Sequence, residues 1–99
     1  NARKCYEALR SLTEKIIQAQ DQDIWAREEV GWHVTIGLSY FSQGAAKQQL
    51  YDIVEGCLDL LENISQAASQ ANGWDTVRQV EAAMGYLAKA VYFEEPKSG

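Results

Sequence analysis

The apolar residues between Leu50 and Ala68 constrain this chain more than any other feature. Leu50, Val54, Cys57, Leu61, Ile64 and Ala68 recur at spacings of four, three, four, three and four, and Ala67 and Ala71 widen the line. A period near 3.6 puts them on one side of an α-helix, whereas a strand would scatter them over both faces. A helix with so continuous an apolar line must be buried against other elements. The pattern runs from Ala45 to about Ala71, either as one helix of roughly seven turns or as two helices broken near Glu62 to Ser65.

The same periodicity frames it on both sides. Residues 2 to about 22 predict a helix whose seam is Cys5, Leu9, Leu12, Ile16 and Ala19. The acidic run Asp21 to Asp23 reads as a break, with Asp23 a candidate N-cap for the next helix. Asn72, Gly73 and Asp75 predict a stop and restart, Asn72 and Gly73 suiting a helix C-terminus and Asp75 capping the final helix. That last helix, Thr76 to about Phe93, is expected to bury Val77, Val80, Met84, Leu87 and Val91, with Ala83, Gly85 and Ala88 permitting close packing.

The stretch Val30 to Gly44 admits two readings. As a strand, Val30, Trp32, Val34, Ile36, Leu38 and Tyr40 fall on one side. As a helix, Val30, Val34, Leu38 and Phe41 form one stripe and Trp32, Ile36 and Tyr40 a second, so the helix would be sandwiched between neighbours. A lone strand needs a pairing edge, and everything around it is helical, so the helix is preferred. Gly44, in Ser42-Gln43-Gly44, is expected to punctuate the chain.

The expected fold is therefore all-α, four to five helices, as an antiparallel bundle or as stacked helical hairpins. Residues 1–93 form a single helical domain and residues 94–99 a frayed tail. Ninety-nine residues suffice for one core.

The net charge of −5 and pI near 4.7 argue against DNA or RNA backbones and anionic membranes as partners, since these need a basic face. They admit a basic protein partner. No apolar run approaches the length of a membrane span. Cys5 and Cys57 lie on apolar stripes and are expected as buried free thiols, a single bridge being the alternative. Free thiols favour a cytoplasmic protein.

Trp32, Ile36-Gly37, Tyr40 and Gly44, followed by an apolar helix with Ile53, resemble a single tetratricopeptide repeat unit over residues 30–57. Trp32 stands one residue early, Gln49 and Gly56 occupy positions where the family has Ala, and the proline that ends the unit is missing. No second copy recurs at a period of about 34 residues. The resemblance implies a helical-hairpin scaffold that binds peptides or protein surfaces, alone, as a homodimer, or as a piece of a longer helical array.

Among candidate sites, Asp52, Glu55, Asp59 and Glu62 step by three, four and three along one helix face. They read as a solvated face or as a docking strip for a basic partner; a straight row cannot wrap a cation as a loop does. Most of the tryptophans and tyrosines are expected in the core. Tyr51 and Tyr86 sit off the main stripes of their helices and are candidate anchors at an interface. His33, the only histidine, has no companion at metal-ligand spacing, and neither a metal nor another cofactor is expected. Arg27 and His33, with five residues between them, resemble the Arg–His pair of HEPN-type helical ribonucleases, which implies RNA cleavage at a dimer interface. No Gly-rich phosphate loop or nucleophile elbow is present. The function expected is thus a non-enzymatic acidic module that binds another protein, of adaptor, regulatory or inhibitory (immunity) type, through Asp52, Glu55, Asp59, Glu62, Tyr51 and Tyr86. The alternative is the ribonuclease using Arg27 and His33.

Overall fold

The computed structural model describes residues 1–18 and 29–92. It comprises four helices, α1 (Ala2–Gln18), α2 (Glu29–Lys47), α3 (Tyr51–Gln70) and α4 (Trp74–Tyr92), and the described residues contain no strand. The fold class is all-α, and Val34 to Tyr40 are helical. The break at Asp21 to Asp23, the end of the first helix near residue 22, Ala19 and the tail lie outside the described residues.

Asn1 caps α1, its Oδ1 accepting from the Lys4 amide at 3.0 Å. The turns that end α2 and α3 share one construction. At the end of α2, Gln49 adopts φ 62°, its amide donates to the Ala46 carbonyl at 3.0 Å, and the Leu50 amide donates to the Ala45 carbonyl at 2.9 Å. At the end of α3, Asn72 adopts φ 61°, with Asn72 to Ser69 at 3.2 Å and Gly73 to Ala68 at 2.7 Å. Both are left-handed caps closed by a pair of nested hydrogen bonds. Leu50 and Gly73 each then start the next helix, their carbonyls accepting from Val54 and Val77 at 3.1 Å.

These turns correct two expectations and decide between the alternatives of a third. The chain does not turn at Gly44: Ala45, Ala46 and Lys47 are good helix formers and carry α2 one turn further. The third helix is unbroken through Glu62 to Ser65. Gly73, not Asp75, precedes α4, while Asp75 sits in its first turn and pairs with Arg78.

α2 and α4 make the most extensive helix pair, and α3 packs against α1, α2 and α4. The α3 stripe is the expected one, with Val54, Cys57, Leu61, Ile64 and Ala68 buried and Ile53 and Leu60 added. On α4, Val80 and Leu87 are buried and Val77, Met84 and Val91 pack against the core from its margin. Small-residue packing there falls to Ala83 and Ala90, whereas Gly85 and Ala88 are exposed.

The buried face of α1 is turned from its expected seam by less than one residue step of about 100°. Its buried line is Tyr6 and Thr13, with Ala2, Leu9 and Ile16 beside them; Cys5 is exposed and Leu12 is 50% exposed. The cause is Gly56. The Tyr6 ring lies over it, in space that any Cβ at position 56 would occupy. Arg3 pairs with Asp52 one turn earlier, so α1 and α3 begin side by side.

α2 departs furthest. Of the first expected stripe, Leu38 is buried and Val34 and Phe41 pack against the core from its margin while Val30 is exposed; of the second, Trp32 and Tyr40 face the solvent. Gly31, Thr35, Leu38, Ser42, Ala45 and Ala46 point inward, while Val30, Trp32, His33 and Tyr40 are exposed. Small residues let α2 approach α3 and α4 together, and the large aromatics Trp32 and Tyr40 are left to the solvent.

Candidate partner-binding surfaces

Trp32, Tyr40, Tyr51, Trp74, Tyr86 and Tyr92 are all exposed. Among the described residues only Tyr6 is a buried aromatic, so the expectation that most tyrosines and tryptophans form the core is overturned. The core is made from aliphatic residues and alanine, and four of the tyrosines stand on the rims of two clefts.

The first cleft, of about 350 Å³, lies between α2 and α4. Tyr40 (74% exposed) and Tyr86 (61% exposed) flank it, with Ser39 and Gln43 on α2 and Gln79 on α4. The Gln43 amide donates to Ser39 Oγ at 3.0 Å and to the Ser39 carbonyl at 3.1 Å, which holds that wall in place. No charged residue lines this cleft.

The second, of about 340 Å³, lies between the start of α3 and the end of α4. Val54, Leu58, Met84, Leu87 and Val91 make its floor, and Tyr51, Glu55 and Tyr92 rise at its edges. It is the more apolar of the two, and of the residues lining either cleft only Glu55 is charged.

The sequence-predicted site residues therefore do not converge on one place. Tyr51 and Glu55 share the α3/α4 cleft, and Tyr86 belongs to the α2/α4 cleft. Asp52 lies on the α1 side of α3, where the Arg3 guanidinium hydrogen-bonds its carboxylate and holds it below the usual carboxylate range. Asp59 and Glu62 are exposed on α3 and line neither cleft. Tyr40, Tyr92 and Met84 also line the clefts, and sequence reasoning misses them in that role. Tyr92 stands in the last turn of a helix whose apolar line runs through Val91, and that position was the available signal.

His33 is exposed, its ring 5.4 Å from that of Trp32. Arg27 lies outside the described residues, so the Arg27–His33 pairing has no geometry here. Among the described residues no group of three or more His, Cys, Asp or Glu side chains gathers as a metal site requires, and no described helix is long and apolar enough to cross a membrane. Both thiols are free, but only Cys57 is buried, which corrects the expectation for Cys5. Burial pushes the Cys57 thiol up to about 11, with Cys5 adding to the shift. Burial likewise raises the Tyr6 phenol.

Comparison with protein-family models, curated proteins and solved structures finds no match.

Proposed function

We propose that this chain is a non-enzymatic acidic module that binds another protein, of adaptor, regulatory or inhibitory type. One observation carries the reading: α2 and α4 turn small residues inward and large aromatics outward, so that Tyr40 and Tyr86 flank an open cleft and Trp32 is exposed on the same helix as Tyr40. Exposed aromatics cost solubility, and Trp and Tyr are the residues that anchor interfaces. The net charge of −5 favours a basic partner and steers its approach.

The packing pattern supports the hairpin form of the fold over a closed bundle. α3 packs on α1 and α4 on α2, each helix meeting its next-but-one neighbour, while α1 makes little or no contact with α4. Stacked hairpins have that pattern, although Gly44, which stands at the inter-helix turn of a tetratricopeptide unit, lies inside α2 here. Such a unit works alone, as a homodimer or within a longer array. The free thiols fit a cytoplasmic setting.

Affinity capture from native extract, at low and moderate salt and with and without nuclease, tests the reading. Recovery of one protein in stoichiometric amount, weakened by salt and lost in Tyr40→Ala/Tyr86→Ala or Tyr51→Ala/Glu55→Gln, is the expected result. His33→Ala should leave that recovery unchanged. Nuclease-sensitive recovery of RNA, with cleavage abolished by His33→Ala, would replace this reading with the ribonuclease one.

A further inference from the structure

The α3/α4 cleft differs from its neighbour in a way that selects an occupant. Its floor of Val54, Leu58, Met84, Leu87 and Val91 offers no hydrogen-bonding group. The backbones of α3 and α4 satisfy themselves, so an extended segment laid here would bury its own amides without partners. A helix brings its backbone already bonded and presents only side chains. Met84 adds a flexible, polarisable surface that repacks around an incoming apolar side chain.

The rim selects charge. Glu55 lines the cleft. Helical spacing puts Glu62, four residues after Leu58, and Glu81, three before Met84, on the same two lines towards the 71–73 turn, and both are exposed. Of the two cations on α4, Lys89 follows Ala88 and so lies about 100° further round the helix, and Arg78, one turn before Glu81, is paired with Asp75. From Tyr51 to Glu62 the surface runs about 16 Å along α3, which matches about three turns of a bound helix.

We propose that the α3/α4 cleft seats a basic amphipathic helix of a partner protein, its apolar side chains entering between Leu58 and Met84 and its Lys or Arg residues over Glu55, Glu62 and Glu81. The proposal rests on the reading of the chain as a protein-binding module and names the surface and the partner's chemistry.

Two residues that occur once each in the sequence, Met84 and His33, make the test direct. Methyl-labelled methionine yields a single signal from the floor of this cleft, and the His33 ring protons report on exposed α2. The probe is a synthetic peptide of about 14 residues, or about four turns, with leucine on one helical face and lysine on the other. Its controls are a scramble of the same composition and a version with glutamate in place of lysine. The leucine–lysine peptide should shift the Met84 methyl saturably and leave His33 unmoved. The scramble should bind at least tenfold more weakly, and the glutamate version should not bind. Glu55→Gln/Glu62→Gln/Glu81→Gln should weaken binding at least tenfold. Ala88→Arg, at an exposed helical position that tolerates the change, should abolish it. Equal binding of the scramble, a shift at His33 without one at Met84, or no shift at either overturns the proposal. If Met84 stays silent while a native partner is still captured through Tyr40 and Tyr86, this cleft is removed and the binding module stands; failure to capture any protein removes both.

Discussion

Gln49 holds a left-handed conformation at φ 62° that glycine adopts without strain. Relief of left-handed strain, about 1–2 kcal/mol, outweighs the chain-entropy cost of glycine, about 0.5–1 kcal/mol, so Gln49→Gly should stabilise the chain by about 0.5–1 kcal/mol. Denaturant unfolding checks it, and a loss of stability would mean the turn is not closed by the Ala45–Leu50 bond. Three threonines pose the opposite problem. The Thr13, Thr35 and Thr76 hydroxyls are buried without a hydrogen-bond partner among the described residues. An unmade bond at a buried hydroxyl costs about 1–3 kcal/mol, so Thr13→Val and Thr76→Val, which keep the shape, should each leave the unfolding midpoint unchanged or higher. Cys5 and Cys57 should separate cleanly under alkylation at pH 8. Cys5 is exposed and reacts, while Cys57, fully buried and pushed up to about 11, reacts only once the chain is unfolded. Two equivalents modified in the folded state would contradict the burial of α3's inner face.

At the scale of single helices, the sequence was legible where one apolar line was unrivalled. α3 has no competing stripe, and five of its seven buried residues follow from spacing alone, Ile53 and Leu60 being the additions. α4 was read nearly as well because Val80 and Leu87 dominate it. α1 and α2 each offer two lines, and the choice was made by residues far away in sequence. On α1 the lines through Cys5 and Tyr6 share Leu9 and Ile16, so only the missing side chain at Gly56 decides between them. Substitution at position 56 tests this directly. Gly56→Ala would ordinarily gain about 1 kcal/mol as a helix substitution. Here the added methyl displaces the Tyr6 ring, so the net effect should be destabilising, and Tyr6→Ala should turn it back into a gain. On α2 the hydrophobicity of Trp32 and Tyr40 pointed the wrong way, because close approach to two neighbours rewards small volume over apolar area. The clefts were harder still to foresee: each is built from two helices, and nothing local marks Tyr86 as facing Tyr40 or Tyr51 as facing Val91.

For the whole molecule, the packing makes α3 indispensable and α1 peripheral. Leu61 is fully buried on a helix that packs on all three others. Leu61→Asp puts an unpaired charge there and should abolish cooperative unfolding altogether, as circular dichroism in denaturant will show. α1 is held mainly by one neighbour, through Tyr6 over Gly56 and the exposed Arg3–Asp52 pair. That pair gives α1 a pH dependence whose sign is fixed. Arg3 lowers the Asp52 carboxyl in the folded chain relative to the unfolded one, so its contribution is present above the ordinary aspartate range and is lost as pH falls through the depressed folded value. Both side chains face solvent, so the effect should be small and local rather than global. Amide-exchange protection followed from pH 6 to pH 3 should accordingly fall in Ala2–Gln18 before it falls in α3 or α4. High salt at pH 6 should move it in the same direction, and Asp52→Asn should lower α1 protection at pH 6 and flatten the pH response. If α1 and α4 instead lose protection in step, α1 belongs to the same cooperative unit as the rest, and Tyr6 seated over Gly56, which carries no charge, is the contact that ties it there.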